Sequence, residues 1–173
     1  MSVLEDRAAW EAAFRAGWLA HYEETGTADW KRYNRPTNQQ AIGGPGVDLA
    51  ASRLLLISSA GGYIAASQKA FDAENNMGDY TIRRIPMTTD PTEIAFAHTH
   101  YDHTAVDSDQ QVLVPLGHLN DLVRAGTIGA LTPNMISFMG YQPDVSRVLD
   151  TLIPAVVAAA KAEGAQAALL VPS

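Results

Sequence analysis

The residues best equipped for chemistry lie in one stretch, IAFAHTHYDHTAVDSD, residues 94–109. It carries His98, His100, Asp102 and His103 in the pattern H-x-H-x-D-H, followed by Asp107 and Asp109. Neutral imidazoles and carboxylates are good ligands for zinc and similar divalent ions. Imidazole also titrates near neutral pH, so the same side chains suit proton transfer. If a strand continues through His98 and His100, the two point the same way, and a turn at Tyr101 brings Asp102 and His103 back toward them. Two chemistries are open: a divalent metal held by His98, His100 and His103, or acid–base catalysis by His98, His100, His103 and Asp102. The alternative to both is a polar loop whose side chains only hydrogen-bond one another.

An apolar run leads into the cluster, so the cluster sits where a strand, TEIAFAH, ends. SRLLLISSAGG reads as another strand closed by a glycine turn; its unbroken apolar run suits a parallel strand covered on both faces. YTIRRIP reads as a half-exposed strand closed by Pro86. PLGHLNDLVRAG reads as a short helix, with Leu116, Leu119, Leu122 and Val123 on one face and Gly126 at the carboxyl cap. TIGALTPNMISFMG reads as extended. QPDVSRVLDTLIPAVVAAAKAEG reads as a long helix that Pro154 should kink or split, and AQAALLV as a last buried strand. Strands alternating with helices predict an α/β fold, a three-layer sandwich with a mostly parallel, Rossmann-like sheet. Ligands in such sheets bind at the carboxyl ends of strands. That singles out residues 58–62, 98–109 and 171–173.

At the amino terminus, Trp10, Phe14, Trp18 and Tyr22 recur every four residues, the stripe of an amphipathic helix with a packing face. A polar arm rich in Asn, Gln, Gly and Pro follows over residues 30–48. The expected division is residues 1–50 for helix and arm, and 51–173 for an α/β domain that is incomplete at its carboxyl end.

Composition is globular, 47% hydrophobic and 18% charged. A net charge of -7 argues against nucleic acid or an anionic membrane as partner. The first residues lack the apolar core of a secretion signal, and the longest apolar run is too short to cross a bilayer, so a cytoplasmic protein is expected. Cysteine is absent, which excludes disulfides, thiolate ligands and a cysteine nucleophile within these residues.

The H-x-H-x-D-H pattern resembles the signature of the metallo-β-lactamase superfamily, which implies a zinc hydrolase. That family draws further His and Asp ligands from downstream; after His103 this chain has only His118.

A wider resemblance rests on SRLLLISSAGGY, GDYTIRRIP, HTHYDHTAVDSDQQVLVPLGHLNDLVRAGTIGAL and SFMGY, in this order and spacing. Together they resemble the selenoprotein B family of glycine, sarcosine and betaine reductases, with the related D-proline reductase subunit, over residues 52–173. The resemblance implies a subunit of an oxidoreductase that cleaves the C–N bond of a small amine or amino-acid substrate. It also implies assembly in a homo- or hetero-oligomer and a pyruvoyl-type partner subunit. In that frame His98, His100 or His103 protonates the leaving amine, and Arg83 or Arg84 holds a substrate carboxylate. Ser59, Gly61, Gly62, Asp107 and Asp109 join Arg83 as substrate-facing residues. Gln110, Gln111, Gly117 and His118 depart from the family pattern and leave the substrate open.

In the family a strand like GAQAALLVPS leads into a redox motif that begins with selenocysteine or cysteine. The expectation is a chain truncated at an in-frame UGA, with selenocysteine following Ser173 in a full-length form and no reductase activity from residues 1–173 alone. The alternative expectation is a zinc hydrolase or metal-binding α/β module built on the histidine cluster.

Overall fold

The computed structural model describes residues 3–40, 43–98 and 101–173; the candidate ligand and catalytic residue His100 lies outside them. The chain divides into two compact units, Met1–Pro45 and Gly46–Ser173.

In the first unit, α1 (Arg7–Phe14) runs through a π turn (Arg15–Leu19) into α2 (Ala20–Thr25), which ends at Gly26 with φ 68°. The four-residue spacing becomes a ladder of stacked rings. Centroids are 4.8 Å apart for Trp10 and Phe14, 5.5 Å for Phe14 and Trp18, and 5.4 Å for Trp18 and Tyr22. Tyr33, from the arm, sets its ring edge-on against Trp10, Phe14 and Trp18. The Trp10 indole N–H donates to the Asn34 carbonyl at 2.8 Å. The stripe is thus a packing face that holds the arm, each aromatic pair contributing about 0.5–1.5 kcal/mol beyond area burial.

The second unit is an α/β sandwich. Its elements are β1 (Arg53–Ser58), β2 (Gly62–Ile64), β3 (Ile82–Pro86), β4 (Ile94–Phe96), α3 (Thr104–Ser108), α4 (Leu116–Arg124), β5 (Ala130–Leu131), β6 (Asn134–Phe138), α5 (Val145–Arg147), α6 (Ile153–Ala162) and β7 (Ala167–Val171). β1 is central. β7 lies parallel along one edge, from Leu54 opposite Ala167 to Ser58 opposite Val171. β5 and then β6 lie parallel along the other edge, pairing first with Arg53 and Leu54, then with Ile57 and Ser58. Thr132 and Pro133 separate them, a natural break because proline cannot donate to the ladder. β3 closes that side antiparallel to β6, from Ile82 opposite Phe138 to Pro86 opposite Asn134.

The apolar run of β1 is explained by cover on both faces. Leu54 and Leu56 join Ile85, Ile94, Val114, Leu116, Leu119 and Met135 beneath α4 and the β2–β4 ribbon. Leu55 and Ile136 face α6 through Ala159, with Val156 and Ala160 packed beside them. Pro154 does not split its helix. A π turn, Val148–Leu152, stands between α5 and α6 and takes up the missing N–H and the ring. Beyond α6, the carboxylate of buried Glu163 accepts from the Arg84 guanidinium, the Asn134 backbone N–H (3.1 Å) and the Asn134 amide (3.0 Å). It ties the helix end to β3 and β6.

Two strands depart from expectation. TEIAFAH is not in the parallel sheet: only Ile94–Phe96 is extended, and it pairs antiparallel with β2 in a separate ribbon. β7 is an edge rather than a buried strand, with Leu170 60% exposed and Leu169 38%. Among the described residues, no helix is long and apolar enough to cross a membrane.

Candidate functional site

The carboxyl end of β1 organises the site. Past Ser58 the Ser59 N–H donates to the Val171 carbonyl of β7 (3.1 Å), while the Gly61 N–H donates to Phe138 of β6 (2.9 Å). The loop after β1 is thereby pinned between its two parallel neighbours. At Gly61, with φ 68°, the chain turns into β2. The Gly61 carbonyl then accepts from the Ala97 N–H at 3.0 Å. This last bond fixes where β4 delivers His98. The histidine segment therefore reaches the strand ends through the ribbon, not as the end of a sheet strand.

His98 is 6% exposed and fits between two glycines. A Cβ on Gly140 would stand 3.2 Å from His98 Nε2 and 3.2 Å from the Ser59 carbonyl oxygen. A Cβ on Gly61 would stand 3.1 Å from the His98 backbone nitrogen and 2.6 Å from Met139 Sδ. On the other side of Ser59 lies Ser173. Its backbone N–H donates to Ser59 Oγ at 2.9 Å, and its hydroxyl donates to the Ser59 carbonyl at 3.2 Å. Ser59 and Gly61 of one predicted segment and His98 of another are thus brought together, and Gly140 and Ser173 join them.

His103 is half-buried. Its Nε2 lies 2.7 Å from the His98 carbonyl oxygen, and its ring stacks on Tyr101 at 4.5 Å with 21° between planes. Tyr101 in turn meets the His98 ring edge-on at 5.3 Å. The Tyr101 hydroxyl is buried without a hydrogen-bond partner among the described residues. Burial, and secondarily the carboxylate of Asp107, pushes its pKa up to about 12, so it stays a neutral phenol.

The acidic residues divide by role. Asp102 accepts from the Thr104 hydroxyl (2.6 Å) and backbone N–H (2.9 Å), which start α3. Those bonds, the hydroxyl first, hold its carboxyl below the ordinary value. Asp109 caps the following turn through the Gln111 N–H at 2.9 Å. Asp107, on α3, is exposed and acts on Tyr101 through its charge. Gly62 is a packing glycine, its would-be Cβ 3.3 Å from Ile94 Cγ2. Arg83 is engaged on β3: it donates to the carbonyls of Lys69 (2.8 Å), Ala70 (3.3 Å) and Ile82 (3.0 Å) and to the Thr81 hydroxyl (2.9 Å). It also covers the Phe71 ring at 4.2 Å. These contacts fasten the 69–71 loop to the sheet edge, and none of them is with a described histidine.

His103 Nε2 and the Asp102 carboxylate are engaged as above, and among the described residues, which do not include His100, no group of three or more His, Asp or Glu side chains is arranged to hold an ion. One contributor escaped the residue-by-residue reading: Gly140 belongs to the SFMG motif, but only the packing reveals why a side chain is excluded there. Ser173 lies in the strand end, residues 171–173, that the sheet pattern singles out.

No family model and no solved structure matches the chain. Among curated proteins it is similar to D-proline reductase subunit gamma of Acetoanaerobium sticklandii, 28% identical over 123 residues. The match takes in 71% of this chain and 49% of that protein, so it spans about half the length of the relative.

Proposed function

We propose that this chain is a subunit-type component of an amino-acid reductase, and that its strand-end site binds a small amine or amino-acid substrate whose C–N bond is cleaved. The similarity to D-proline reductase subunit gamma over 71% of the chain carries the reading. The site supports it: hydroxyls, glycine-framed backbone and two imidazoles gather at the carboxyl ends of parallel strands, the usual ligand position in such sheets. Substrates of the proline, glycine, sarcosine and betaine class fit the proposal, as does assembly with a partner subunit of the pyruvoyl type.

Residues 1–173 contain no cysteine, so none of their side chains performs nucleophilic attack by sulfur. What they offer is binding and proton handling. The chain by itself is therefore expected to bind substrate without reducing it.

The test is equilibrium binding of D-proline, glycine, sarcosine and betaine to the purified chain by calorimetry or ligand-observed NMR, paired with a thiol-dependent reduction assay. Binding of at least one of them, weakened by Ser59→Ala and without turnover, is expected. If none binds even at concentrations that saturate weak millimolar ligands, the reading is wrong. Turnover by the chain alone would overturn its assignment as the binding half.

A further inference from the structure

The two described histidines of the site differ in what they present, and the difference follows from one hydrogen bond. A carbonyl oxygen only accepts. The 2.7 Å contact between His103 Nε2 and the His98 carbonyl therefore requires the proton on Nε2. In the neutral ring the lone pair is then on Nδ1. That assignment follows from the network of hydrogen bonds, as any tautomer must.

The ring has little freedom to leave this arrangement. Its face lies on Tyr101 at 4.5 Å. Tyr101 is wedged against His98 at 5.3 Å, and His98 is seated between Gly61 and Gly140. His103 also sits at the start of α3, where its own carbonyl accepts from the Asp107 N–H at 2.8 Å. No bond to Nδ1 is made among the described residues, and the residue is only half-buried. Among the described residues two carboxylates act here: Asp102 is close enough to feel His103, and Asp107 acts on the adjoining Tyr101. Such surroundings favour a cationic ligand that brings its own N–H.

We propose that His103, fixed as the Nε2–H tautomer by the His98 carbonyl and the Tyr101 ring, presents Nδ1 as the proton-accepting atom of the site, so that the site selects amines bearing an N–H over quaternary ammonium compounds. Tyr101 is a positioning residue, acting through its ring. This rests on the amine-substrate reading above and narrows it. Primary and secondary ammonium ligands donate to Nδ1; a trimethylammonium group has no proton to give and leaves Nδ1 unsatisfied. A hydrogen bond to a charged group lost in this way corresponds to about a tenfold or greater loss of affinity.

The experiment is nitrogen-detected imidazole NMR on the uniformly labelled full chain, at a pH where the rings are neutral, with His103→Gln to assign the resonances. Wild type and Tyr101→Phe are expected to show a single Nε2–H tautomer for His103, and Tyr101→Leu an averaged one. Titration with D-proline or sarcosine should shift the Nδ1 resonance, whereas betaine should bind about tenfold more weakly or not at all. A protonated Nδ1 or an averaged tautomer in the wild type overturns the proposal even if proline binds. So does betaine shifting Nδ1 as strongly as proline. A fixed Nε2–H tautomer with no amine bound at all would instead sink the amine-reductase reading, and the selectivity with it.

Discussion

Gly61 is where the fold and the site depend on the same few atoms, so replacing it with alanine tests both. Two costs arise. The first is conformational: at φ 68° a Cβ crowds the neighbouring carbonyl, at about 1–2 kcal/mol for an L-residue. The second is steric. The new methyl would stand 2.6 Å from Met139 Sδ and 3.1 Å from the His98 backbone nitrogen. Met139 is 1% exposed and cannot swing into solvent, so relief means repacking a closed interior, at about 1–3 kcal/mol. Gly61→Ala should therefore cost about 2–4 kcal/mol, allowing for partial relaxation.

Gly126 supplies the internal control. It lies in the same unit with φ 73°, and nothing stands within 4 Å of a Cβ there. Gly126→Ala should cost only the conformational part, about 1–2 kcal/mol. Urea denaturation followed by far-UV circular dichroism measures both. Tryptophan fluorescence would mislead, because Trp10, Trp18 and Trp30 all lie in the first unit. Midpoints should fall in the order wild type, Gly126→Ala, Gly61→Ala with the slope preserved. Equal losses in the two variants, within about 0.5 kcal/mol, would refute the close packing of Met139 and His98 on Gly61, and with it the seat described for His98.

Glu163→Ala leaves the Asn134 backbone N–H and amide without their acceptor, while the half-exposed Arg84 regains water; a loss of about 2–3 kcal/mol in the same urea assay is expected. Burial works to raise the Glu163 carboxyl pKa, but the bonds from Arg84 and Asn134 outweigh it and hold it below 4.5. This contribution is therefore complete above pH 4.5 and lost as the pH falls through the depressed folded value, a loss that Glu163→Gln should lack when stability is followed by acid titration. For the metal question, elemental analysis after exposure to zinc should find well under one ion per chain. Stoichiometric zinc that disappears in His100→Ala would show that a ligand set does form.

The elements legible in sequence were those set by strong local periodicity. Uninterrupted apolar residues in β1 required cover on two faces, and the structure provides it. The four-residue aromatic spacing required one packing face, and the rings stack along it. What composition could not reveal was pairing partner. Three apolar residues, Ile94–Phe96, satisfy a sheet strand or a ribbon strand equally well; the decision is made by Gly61, whose turn sends β2 back to meet them. Arg83 shows the same limit. A strand arginine suits a carboxylate clamp by type alone, yet here the backbone carbonyls of residues 69 and 70 are nearer and take its donors.

The histidine cluster is the instructive case. Spacing places four ligand-type side chains within six residues, and spacing is all that a metal reading needs. Folding then assigns the local hydrogen bonds: Asp102 goes to Thr104 and His103 Nε2 to the His98 carbonyl. Each bond removes a donor atom from any shared ligand set, and the second also decides which nitrogen of His103 faces a ligand. A motif fixes which atoms are available, but the backbone groups nearest to them decide which remain free. Among the described residues, Nδ1 of His103 is one atom left in this way, and the pattern H-x-H-x-D-H could not have named it in advance.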